Sequence, residues 1–372
     1  MGNKSKKIVE NLLNQAGIGI NGNNSWDIQV HNNKLYSRIL SGGTLALGES
    51  YMDGWWDCPN LDQFFTKVLR ANLGVMTLGI RTLIWQFLKA CIINPQNKVR
   101  AFIVGEKHYD VGNDLYKLML DKRMNYSCGY WQTADNLDDA QEAKLELSCQ
   151  KLGLKPGMKV LDIGCGWAGF AKYAAEKYGV TVVGVTISKE QKKLAEELCQ
   201  GLPVEIRLQD YRELNEKFDR IISIGMIEHV GRKNYREYMK VARRCLKDDG
   251  LFLLHTIGGL RSTVMVEPWI GKYIFPNGML PSIKQLARSV EKLFVIEDLH
   301  NFSAYYDTTL MAWYTNFVAN WDKIKNNYDE RFYRMWVYYL LSCAGSFRAR
   351  KNQLWQIVLS KNGIIDGYIS TR

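Results

Sequence analysis

The chain has 372 residues, 47% of them hydrophobic, and a formal net charge of +11, which suits two domains and excludes a disordered or low-complexity protein. The basic excess predicts an anionic partner, such as phospholipid headgroups, nucleic acid or an acidic small molecule. The eight cysteines form no CxxC pair, so no zinc ribbon, metal site or disulfide framework is expected. The N-terminal residues show no signal-peptide pattern, which predicts a reduced, cytoplasmic protein.

Residues 1–70 are predicted to form a small N-terminal α+β domain. Asn60 is expected to cap the helix that follows it, and Gly42 with Gly43 should end the helix before them. The segment 45–60 is rich in aromatic residues and is predicted to be rich in turns. Periodicity predicts a strand over 26–30 and helices over 6–16, 36–40 and 61–69.

Residues 71–105 are predicted to be a linker that contains an amphipathic helix over 71–93. This stretch is apolar enough to suggest a membrane span, but it contains Arg81 and Lys89. Each of these costs roughly 2.5–3.5 kcal/mol at a bilayer centre, which disfavours a span. The helix is expected either to pack between domains or to lie on a membrane surface.

Residues 106–372 are predicted to form the catalytic domain, in which strands and helices alternate from residue 151. Such alternation is typical of a doubly wound α/β fold with a parallel sheet. An insertion with three prolines follows residue 258, and a long aromatic helical region is expected over about 306–348. The predicted strands are 159–163, 180–186, 204–208, 219–224, 251–255, 294–298 and 354–360, and the predicted intervening helices are 167–178, 189–199 and 235–246.

The sharpest local motif is a glycine-rich loop directly after the first of these strands. Gly164, Gly166 and Gly169 have GxGxxG spacing, which permits close approach of the backbone to a nucleotide-type ligand. Dinucleotide binding needs an acid at the end of the next strand, but Thr186 is found there. Asp210, after the third strand, is placed to accept the adenine amine, although a helix cap explains it equally well. Together these features favour S-adenosylmethionine over NAD.

Polar residues near the carboxyl ends of the strands are candidates for catalysis, because ligands of parallel sheets bind there. For each of them a structural role is also open: a buried inert cysteine, a capping histidine or a core tyrosine. The candidates are Glu228, His229, His255, Tyr305, Tyr306 and Asp307, and, upstream of the sheet, Tyr126, Ser127 and Cys128.

Several motifs closely resemble the bacterial cyclopropane-fatty-acyl-phospholipid synthases and, more distantly, the mycolic acid cyclopropane synthases. They are YSCGYW, VLDIGCGWAGFA, VVGVTIS, GMIEHVG, LLHTIG and YYDTTLMAWY, with LGESYMDGWW near the N-terminus. The resemblance implies a Rossmann-like class I S-adenosylmethionine methyltransferase sheet. It also implies methyl transfer to a cis double bond of an unsaturated acyl chain in a membrane phospholipid, followed by proton loss and closure of a cyclopropane ring.

The same resemblance implies specific site residues. A bound bicarbonate is expected to accept the proton, held by Cys128, Glu228, His255, the backbone of Ile257 and Tyr306. Cys343 matches a cysteine suspected of catalysis in the family, although a packing role on a helix is the simpler interpretation. The implied cofactor contacts are Tyr126, Ser127, Gly164, Gly166, Thr186, Ile187, Gln191, Gln209, Asp210 and Tyr211.

The expected partners are anionic membrane phospholipids with unsaturated acyl chains. Residues 331–372 carry seven Lys and Arg against one acid, which predicts peripheral binding at the inner face of the cell membrane. The resemblance implies a homodimer, with residues 1–70 as the domain for lipid binding or dimerisation. The alternatives left open are a methyltransferase that makes a methyl branch or methylates a small molecule, an inactive lipid-binding module, and a nucleic-acid-binding protein. Dispersed basic residues without an RNA-binding signature disfavour the last of these.

Overall fold

The computed structural model describes residues 2–73, 112–264 and 266–372. These form two compact units, of which the first takes in the described residues of 1–93, 264–276 and 306–352, and the second those of 94–263, 277–305 and 353–372. The first unit therefore combines N-terminal residues with two later segments. The amphipathic helix predicted over 71–93 lies, from residue 74 onward, outside the described residues. The functional division at residues 70 and 105 stays a prediction.

The first unit is mainly helical, with one two-stranded antiparallel ladder. Its N-terminal elements are α1 (Gly2–Gln15), β1 (Gln29–Val30), α2 (Leu35–Met52), β2 (Trp56–Asp57) and α3 (Leu61–Arg70). The expected break is found at Gly43, which is non-helical with φ 60° and ψ −140°. The prediction that 45–60 is rich in turns was wrong for residues 45–52, because helix resumes after Gly43 and ends at Met52.

Two details of this N-terminal segment differ from the sequence prediction. The strand predicted over 26–30 shortens to Gln29–Val30, because only these two residues pair with β2. Asn60 does not cap α3 with its side chain; its amide instead donates to Ser25 Oγ at 2.9 Å.

The second unit is a seven-stranded sheet with helices. Its elements before the insertion are α4 (Asn113–Met119), α5 (Leu137–Lys151), β3 (Lys159–Ile163), α6 (Gly169–Tyr178), β4 (Thr181–Thr186), α7 (Lys189–Leu198), β5 (Val204–Leu208), β6 (Phe218–Ile224), α8 (Ile227–Val230), α9 (Tyr235–Cys245) and β7 (Leu246–Gly259). The helix α10 (Pro268–Tyr273) belongs to the first unit, and the second continues with α11 (Ile283–Val290) and β8 (Val295–Asn301).

The long aromatic region predicted over 306–348 is two helices, α12 (Tyr305–Ile324) and α13 (Glu330–Arg348), which lie almost entirely in the first unit. In that unit α13 packs against α3 and α2. The approach to α3 is so close at Gly345 that an added Cβ would lie 2.6 Å from the Asp62 carbonyl oxygen. Arg348 forms ion pairs with both Asp62 and Asp307, which ties α13 to α3 and α12.

The strand order in the large sheet is β5-β4-β3-β6-β7-β9-β8, where β9 is Asn352–Ser360. The pairs β3–β4, β4–β5, β3–β6 and β6–β7 are parallel, as expected, while β8 and β9 pair antiparallel. The chain runs outward from β3 on one side and from β6 on the other, so the topological switch point lies between these strands. Ligands of such sheets bind beyond the carboxyl ends of the strands at that point.

Hydrophobic side chains alternate across the sheet and form two cores. Leu161 and Val183 belong to one cluster with residues of α9 and α11, whereas Val160 and Val182 belong to another with residues of α5 and α6. This alternation follows from the two-residue period of a strand and shows that helices cover both faces. The strand order and the parallel pairing confirm the predicted doubly wound α/β fold.

Among the described residues, no helix combines the length and apolar character needed to cross a membrane. The cysteines in the described part of the chain are all free thiols.

Candidate active site

The glycine-rich loop follows β3 at the switch point. Gly164 and Gly166 adopt φ values of +83° and +56°, which favour glycine strongly. At Gly169, an added Cβ would lie 2.7 Å from the backbone oxygen of Arg123, so α6 could not approach that segment with a larger residue. No described atom outside its chain neighbours lies within 4 Å of a Cβ built at Gly166, so the backbone there is approachable by a ligand. The loop therefore has the geometry that the sequence predicted.

The loop after β4 is held by polar contacts among predicted cofactor residues. Thr186 Oγ1 donates to Gln191 Oε1 at 2.8 Å and accepts from the Ser188 N–H at 3.2 Å. The Gln209 N–H donates to the Thr186 carbonyl at 3.0 Å, which brings the ends of β4 and β5 together. Ser188 caps α7 by accepting from the Gln191 N–H. Ile187 lies within this loop, so the structure gathers four predicted cofactor residues: Thr186, Ile187, Gln191 and Gln209.

Asp210 lies just beyond β5 and caps the short 3-10 turn Tyr211–Glu213. Its two carboxyl oxygens accept from Arg212 Nε at 2.8 Å and from an Arg212 Nη at 2.6 Å. The capping role considered from the sequence is therefore present. A role toward adenine stays a prediction, and it requires the carboxylate to share its acceptor capacity with Arg212.

The Tyr126–Cys128 segment is held by hydrogen bonds from α5, a helix that was not predicted to contribute to the site. Ser127 Oγ accepts from Lys144 Nζ at 2.9 Å, and the Ser127 carbonyl accepts from Gln141 Nε2 at 2.7 Å. Cys128 is fully buried, and its thiol donates to the Gly129 carbonyl at 3.2 Å. The signal was available: α5 carries four buried polar residues at helical spacing, namely Gln141, Lys144, Ser148 and Lys151.

Burial shapes the ionisation of this region. It lowers the pKa of Lys144 to about 8, against the opposing effect of nearby Asp121 and Asp162. Burial also raises the pKa of Asp162 to about 7, which Lys144 partly offsets. Lys151 behaves similarly, since burial lowers its pKa to about 7 although Asp298 lies nearby. These shifts reduce the ionisation of the buried lysines and aspartate near neutral pH. Burying partly ionised groups costs less desolvation free energy than burying fully ionised ones, which explains how the fold tolerates these lysines.

Glu228 follows β6 and lies on the short helix α8. Its Oε1 accepts from the Ile257 N–H at 2.7 Å, whereas Oε2 is buried and has no hydrogen-bond partner among the described residues. Burial raises the pKa of Glu228 to about 7, although its hydrogen bonds oppose the shift. The backbone of Ile257 was expected to contact bicarbonate. Its N–H already donates a hydrogen bond to Glu228.

His255 lies on β7, directly opposite Ile224 of β6. Its Nδ1 is 3.3 Å from Gln356 Nε2, and its Nε2 is buried without a partner in the described part of the chain. Burial, aided by the positive charges of Lys144 and Lys151, lowers the pKa of His255 well below its usual value. Two predicted catalytic residues, Glu228 and His255, thus each carry a buried polar atom that awaits a partner.

An aromatic cluster lies beside His255. The His255 ring is 5.7 Å from Phe302, and Phe302 is 5.3 Å from Tyr130. Tyr130 also contacts His300 and Tyr305 edge-on, with ring centroids 5.8 and 5.4 Å away. Sequence reasoning named Tyr305 but missed Tyr130 and Phe302, although Tyr130 stands within the YSCGYW motif.

The remaining candidates divide between the two units. His229 is on α8, and burial lowers its pKa to about 4. Tyr306, Asp307 and Cys343 belong to the first unit, where the Tyr306 ring stacks on Phe347 at 4.4 Å and Asp307 pairs with Arg348. Burial raises the pKa of the Cys343 thiol to about 12, so it is protonated at neutral pH.

Comparisons with known proteins show the family of the chain. The family model described as mycolic acid cyclopropane synthetase matches residues 96–357. A cyclopropane-fatty-acyl-phospholipid synthase of Escherichia coli strain K12 is 58% identical over 361 residues, which are 97% of this chain and 94% of that protein. Cyclopropane mycolic acid synthase 3 of Mycobacterium tuberculosis strain H37Rv is 36% identical over 275 residues, covering 69% of this chain and 96% of its own length.

Solved structures give the same result. The cyclopropane synthase MmaA2 from Mycobacterium tuberculosis matches with a TM-score of 0.67 and 32% identity, over 70% of this chain and 98% of that one. The mycolic acid cyclopropane synthase CmaA1, complexed with SAH and CTAB, matches with a TM-score of 0.66 and 35% identity. The match covers 70% of this chain and 98% of CmaA1. The chain therefore belongs to the mycolic acid cyclopropane synthetase family of S-adenosylmethionine-dependent methyltransferases.

Proposed function

We propose that this protein converts cis double bonds in the acyl chains of membrane phospholipids into cyclopropane rings. The observation that carries the proposal is the 58% identity over 97% of the chain to a relative named cyclopropane-fatty-acyl-phospholipid synthase. The aligned residues make up 97% of the chain and so include most of the first 70 residues, which lie outside the shorter family match at 96–357. The N-terminal region is therefore shared with the phospholipid-acting relative.

S-adenosylmethionine supplies the methyl group, and we propose that bicarbonate accepts the proton that is lost on ring closure. The residues at the switch point fit the methyl donor, because the Gly166 backbone is approachable and the loops after β4 and β5 are pinned by Thr186. Their part is to hold the donor in line with the alkene, since an alkene is a weak nucleophile and the reacting atoms must approach to about 3–3.5 Å.

The donor set at Glu228 and His255 fits a small anion. A carboxyl group with a pKa of about 7 is partly protonated at neutral pH, so Glu228 Oε2 can donate a hydrogen bond. His255 is neutral in its buried setting and contributes a ring nitrogen without a described partner. The fraction of Lys144 and Lys151 that stays protonated at neutral pH acts on His255 and further favours an anion there. Cys128 and Tyr306 are the other residues proposed to hold bicarbonate.

The aromatic cluster supports the proposed lipid chemistry. Methyl addition to an alkene leaves positive charge on the acyl chain. Aromatic faces stabilise such a cation by up to about 2 kcal/mol each where water is excluded. Phe302 contacts the His255 ring and Tyr130 contacts Phe302, which supports a role for these two rings near the residues proposed to handle the proton.

Membrane contact is proposed to be peripheral and electrostatic, with the lysines of α1 taking part. Five of the seven basic residues over 331–372 have carboxylate partners, namely Arg331, Arg334, Arg348, Lys361 and Arg372. They are therefore less available for lipid than the sequence suggested. Lys4, Lys6 and Lys7 are exposed and form no ion pair with the described residues. A homodimer on the cytoplasmic face of the membrane completes the proposal.

The proposed activity is tested by incubation of the protein with labelled S-adenosylmethionine and vesicles of unsaturated phospholipid, followed by mass analysis of the fatty acids. We expect a gain of one methylene group with loss of the double bond. A retained double bond on a methylated chain would indicate a branching methyltransferase, and no incorporation would contradict the proposal.

The membrane proposal is tested by sedimentation with anionic and with neutral vesicles. We expect binding to anionic vesicles that weakens as salt is raised, and that weakens further when Lys4, Lys6 and Lys7 are changed to Glu. A control variant changes Lys155, Lys284 and Lys323, three exposed lysines elsewhere in the chain, to Glu and so alters the net charge equally. Equal loss in both variants would assign the effect to net charge rather than to α1.

A further inference from the structure

A line of buried polar side chains leads from α5 to His255, which is proposed to be catalytic. Ser148 Oγ lies 2.7 Å from the Lys144 carbonyl oxygen and 3.2 Å from Gln356 Nε2. The same Gln356 nitrogen lies 3.3 Å from His255 Nδ1. Ser148, Gln356 and His255 are 0%, 0% and 1% exposed, so each must satisfy its hydrogen bonds within the protein.

The direction of each hydrogen bond follows from the number of hydrogens available. The Ser148 hydroxyl has one hydrogen. Because the Lys144 carbonyl oxygen can only accept, the hydroxyl donates this hydrogen to it. Ser148 Oγ must therefore accept from Gln356, which identifies the facing atom of Gln356 as the amide nitrogen. That nitrogen carries a second hydrogen, which is directed at His255 Nδ1. His255 Nδ1 is accordingly an acceptor and carries no hydrogen.

We infer that Ser148 and Gln356 hold His255 as the neutral tautomer whose hydrogen is on Nε2, so that the ring presents a hydrogen-bond donor to the reaction site. The neutral state agrees with burial and with the charges of Lys144 and Lys151, which all lower the pKa of His255. Gln356 and Ser148 are positioning residues, because they act on the reaction through His255.

The consequence rests on the proposed function. An Nε2–H group donates to a bound anion, whereas the other tautomer would direct a lone pair at the same negative charge. His255 Nε2 is buried without a partner among the described residues, which matches a donor reserved for a ligand. Fixing the tautomer in advance removes a reorganisation cost that the enzyme would otherwise meet in each catalytic cycle.

The tautomer itself is measured by NMR on the whole protein labelled with nitrogen-15 in histidine. The signal of His255 is assigned from its disappearance in a His255→Asn variant. We expect the nitrogen that bears hydrogen to be Nε2 and the bare nitrogen to be Nδ1 at neutral pH. Hydrogen on Nδ1, or on both nitrogens, would overturn the inference whatever the activity of the enzyme.

The role of Gln356 is tested with Gln356→Glu, which is nearly isosteric. A carboxylate accepts from Nδ1–H, so we expect the hydrogen of His255 to move from Nε2 to Nδ1 in the NMR spectrum. We also expect a rise of tenfold or more in the bicarbonate concentration needed for half-maximal methylation, with the KM for S-adenosylmethionine unchanged. A Gln356→Glu protein that keeps the wild-type tautomer would remove Gln356 from the inference.

The matched control is Gln353→Glu on the same strand. Gln353 Oε1 accepts from Asn301 Nδ2 at 2.8 Å, a bond that a glutamate retains, and no described hydrogen bond links it to His255. This variant should keep both the tautomer and the bicarbonate dependence. If the NMR result is as expected but bicarbonate has no effect on methylation by the wild-type protein, the anion in the proposed function is wrong and the tautomer stands.

Discussion

Glu228 and Ile257 are joined by a hydrogen bond of 2.7 Å, in which the Ile257 N–H donates to one carboxyl oxygen. The other oxygen is buried with no partner in the part of the chain that the structure describes. This bond links the short helix after β6 to the end of β7, and so places the carboxyl group at the carboxyl ends of two adjacent strands. Since burial raises the pKa of Glu228 to about 7, both protonation states are accessible near neutral pH.

Glu228→Gln is expected to lose most of the methylation activity and to keep its affinity for S-adenosylmethionine. The amide retains an acceptor for the Ile257 N–H, so the local fold should persist, but it cannot exchange a proton. Turnover is measured with labelled methyl donor and unsaturated vesicles, and affinity by calorimetry. Glu237→Gln on α9 is the control. Wild-type turnover in Glu228→Gln would remove this residue from the mechanism.

The same variant changes the pH dependence of stability. The folded-state pKa of Glu228, about 7, lies above the ordinary value of 4.5 for a glutamate, so the folded state binds more protons between these pH values. Its carboxyl group therefore makes the unfolding free energy fall as pH rises from about 4.5 to about 7. The loss is of order 3 kcal/mol over the window and is absent from Glu228→Gln. Urea unfolding of both proteins across this range measures it; parallel curves would contradict the raised pKa.

Replacement of the two cysteines by serine is expected to have unequal effects. The Cys343 thiol is protonated at neutral pH, because burial raises its pKa to about 12, so it is a poor nucleophile and Cys343→Ser should keep most of the activity. Cys128 is fully buried beside Ser127 and is proposed to contact the anion, so Cys128→Ser should lose more. Methylation rates, compared at equal folded fraction, decide this. A larger loss at Cys343 would revive a catalytic role for it.

Lys144→Met is expected to weaken the binding of S-adenosylmethionine. The substitution removes the donor to Ser127 Oγ and Asn125 Oδ1, both in the segment that leads to Cys128. Buried groups that lose a partner cost about 1–3 kcal/mol, so stability should also fall. The control is Lys172→Met on α6, where the lysine is partly exposed and pairs loosely with Glu176. Calorimetric titration and urea unfolding measure the two effects, and unchanged values in both would contradict the anchoring role of Lys144.

Two adjacent glycines at the end of β7 should respond differently to alanine. A Cβ at Gly258 would lie 1.9 Å from the Trp355 ring, whereas the nearest atom to a Cβ at Gly259 is 3.6 Å away. Gly258→Ala must displace a buried indole and should destabilise the protein by about 1–3 kcal/mol or more. Gly259→Ala should be nearly neutral. Urea unfolding compares them, and equal stabilities would contradict the packing of Trp355 over β7.

Much of the fold is predictable from local patterns. The strands 159–163 and 204–208 are found at the predicted bounds, because short apolar runs between turns have few alternatives to a buried strand. The extent of β7, which begins at Leu246 rather than at residue 251, depends on pairing with β6. The helical character of residues 45–52 was missed, because aromatic residues and glycine are weak helix formers and tertiary packing overrides that preference.

The sequence by itself determined the sheet, the glycine loop and the membership of a methyltransferase family, since each is encoded in a contiguous motif. Only the tertiary structure decided which polar atoms are buried together. Lys144 stands behind Ser127, and Gln356 meets His255 across 101 residues of sequence. Such contacts form between segments far apart in the chain, so no local pattern reveals them. The pKa shifts of Lys144 and His255 arise mainly from burial, which is a property of the folded molecule.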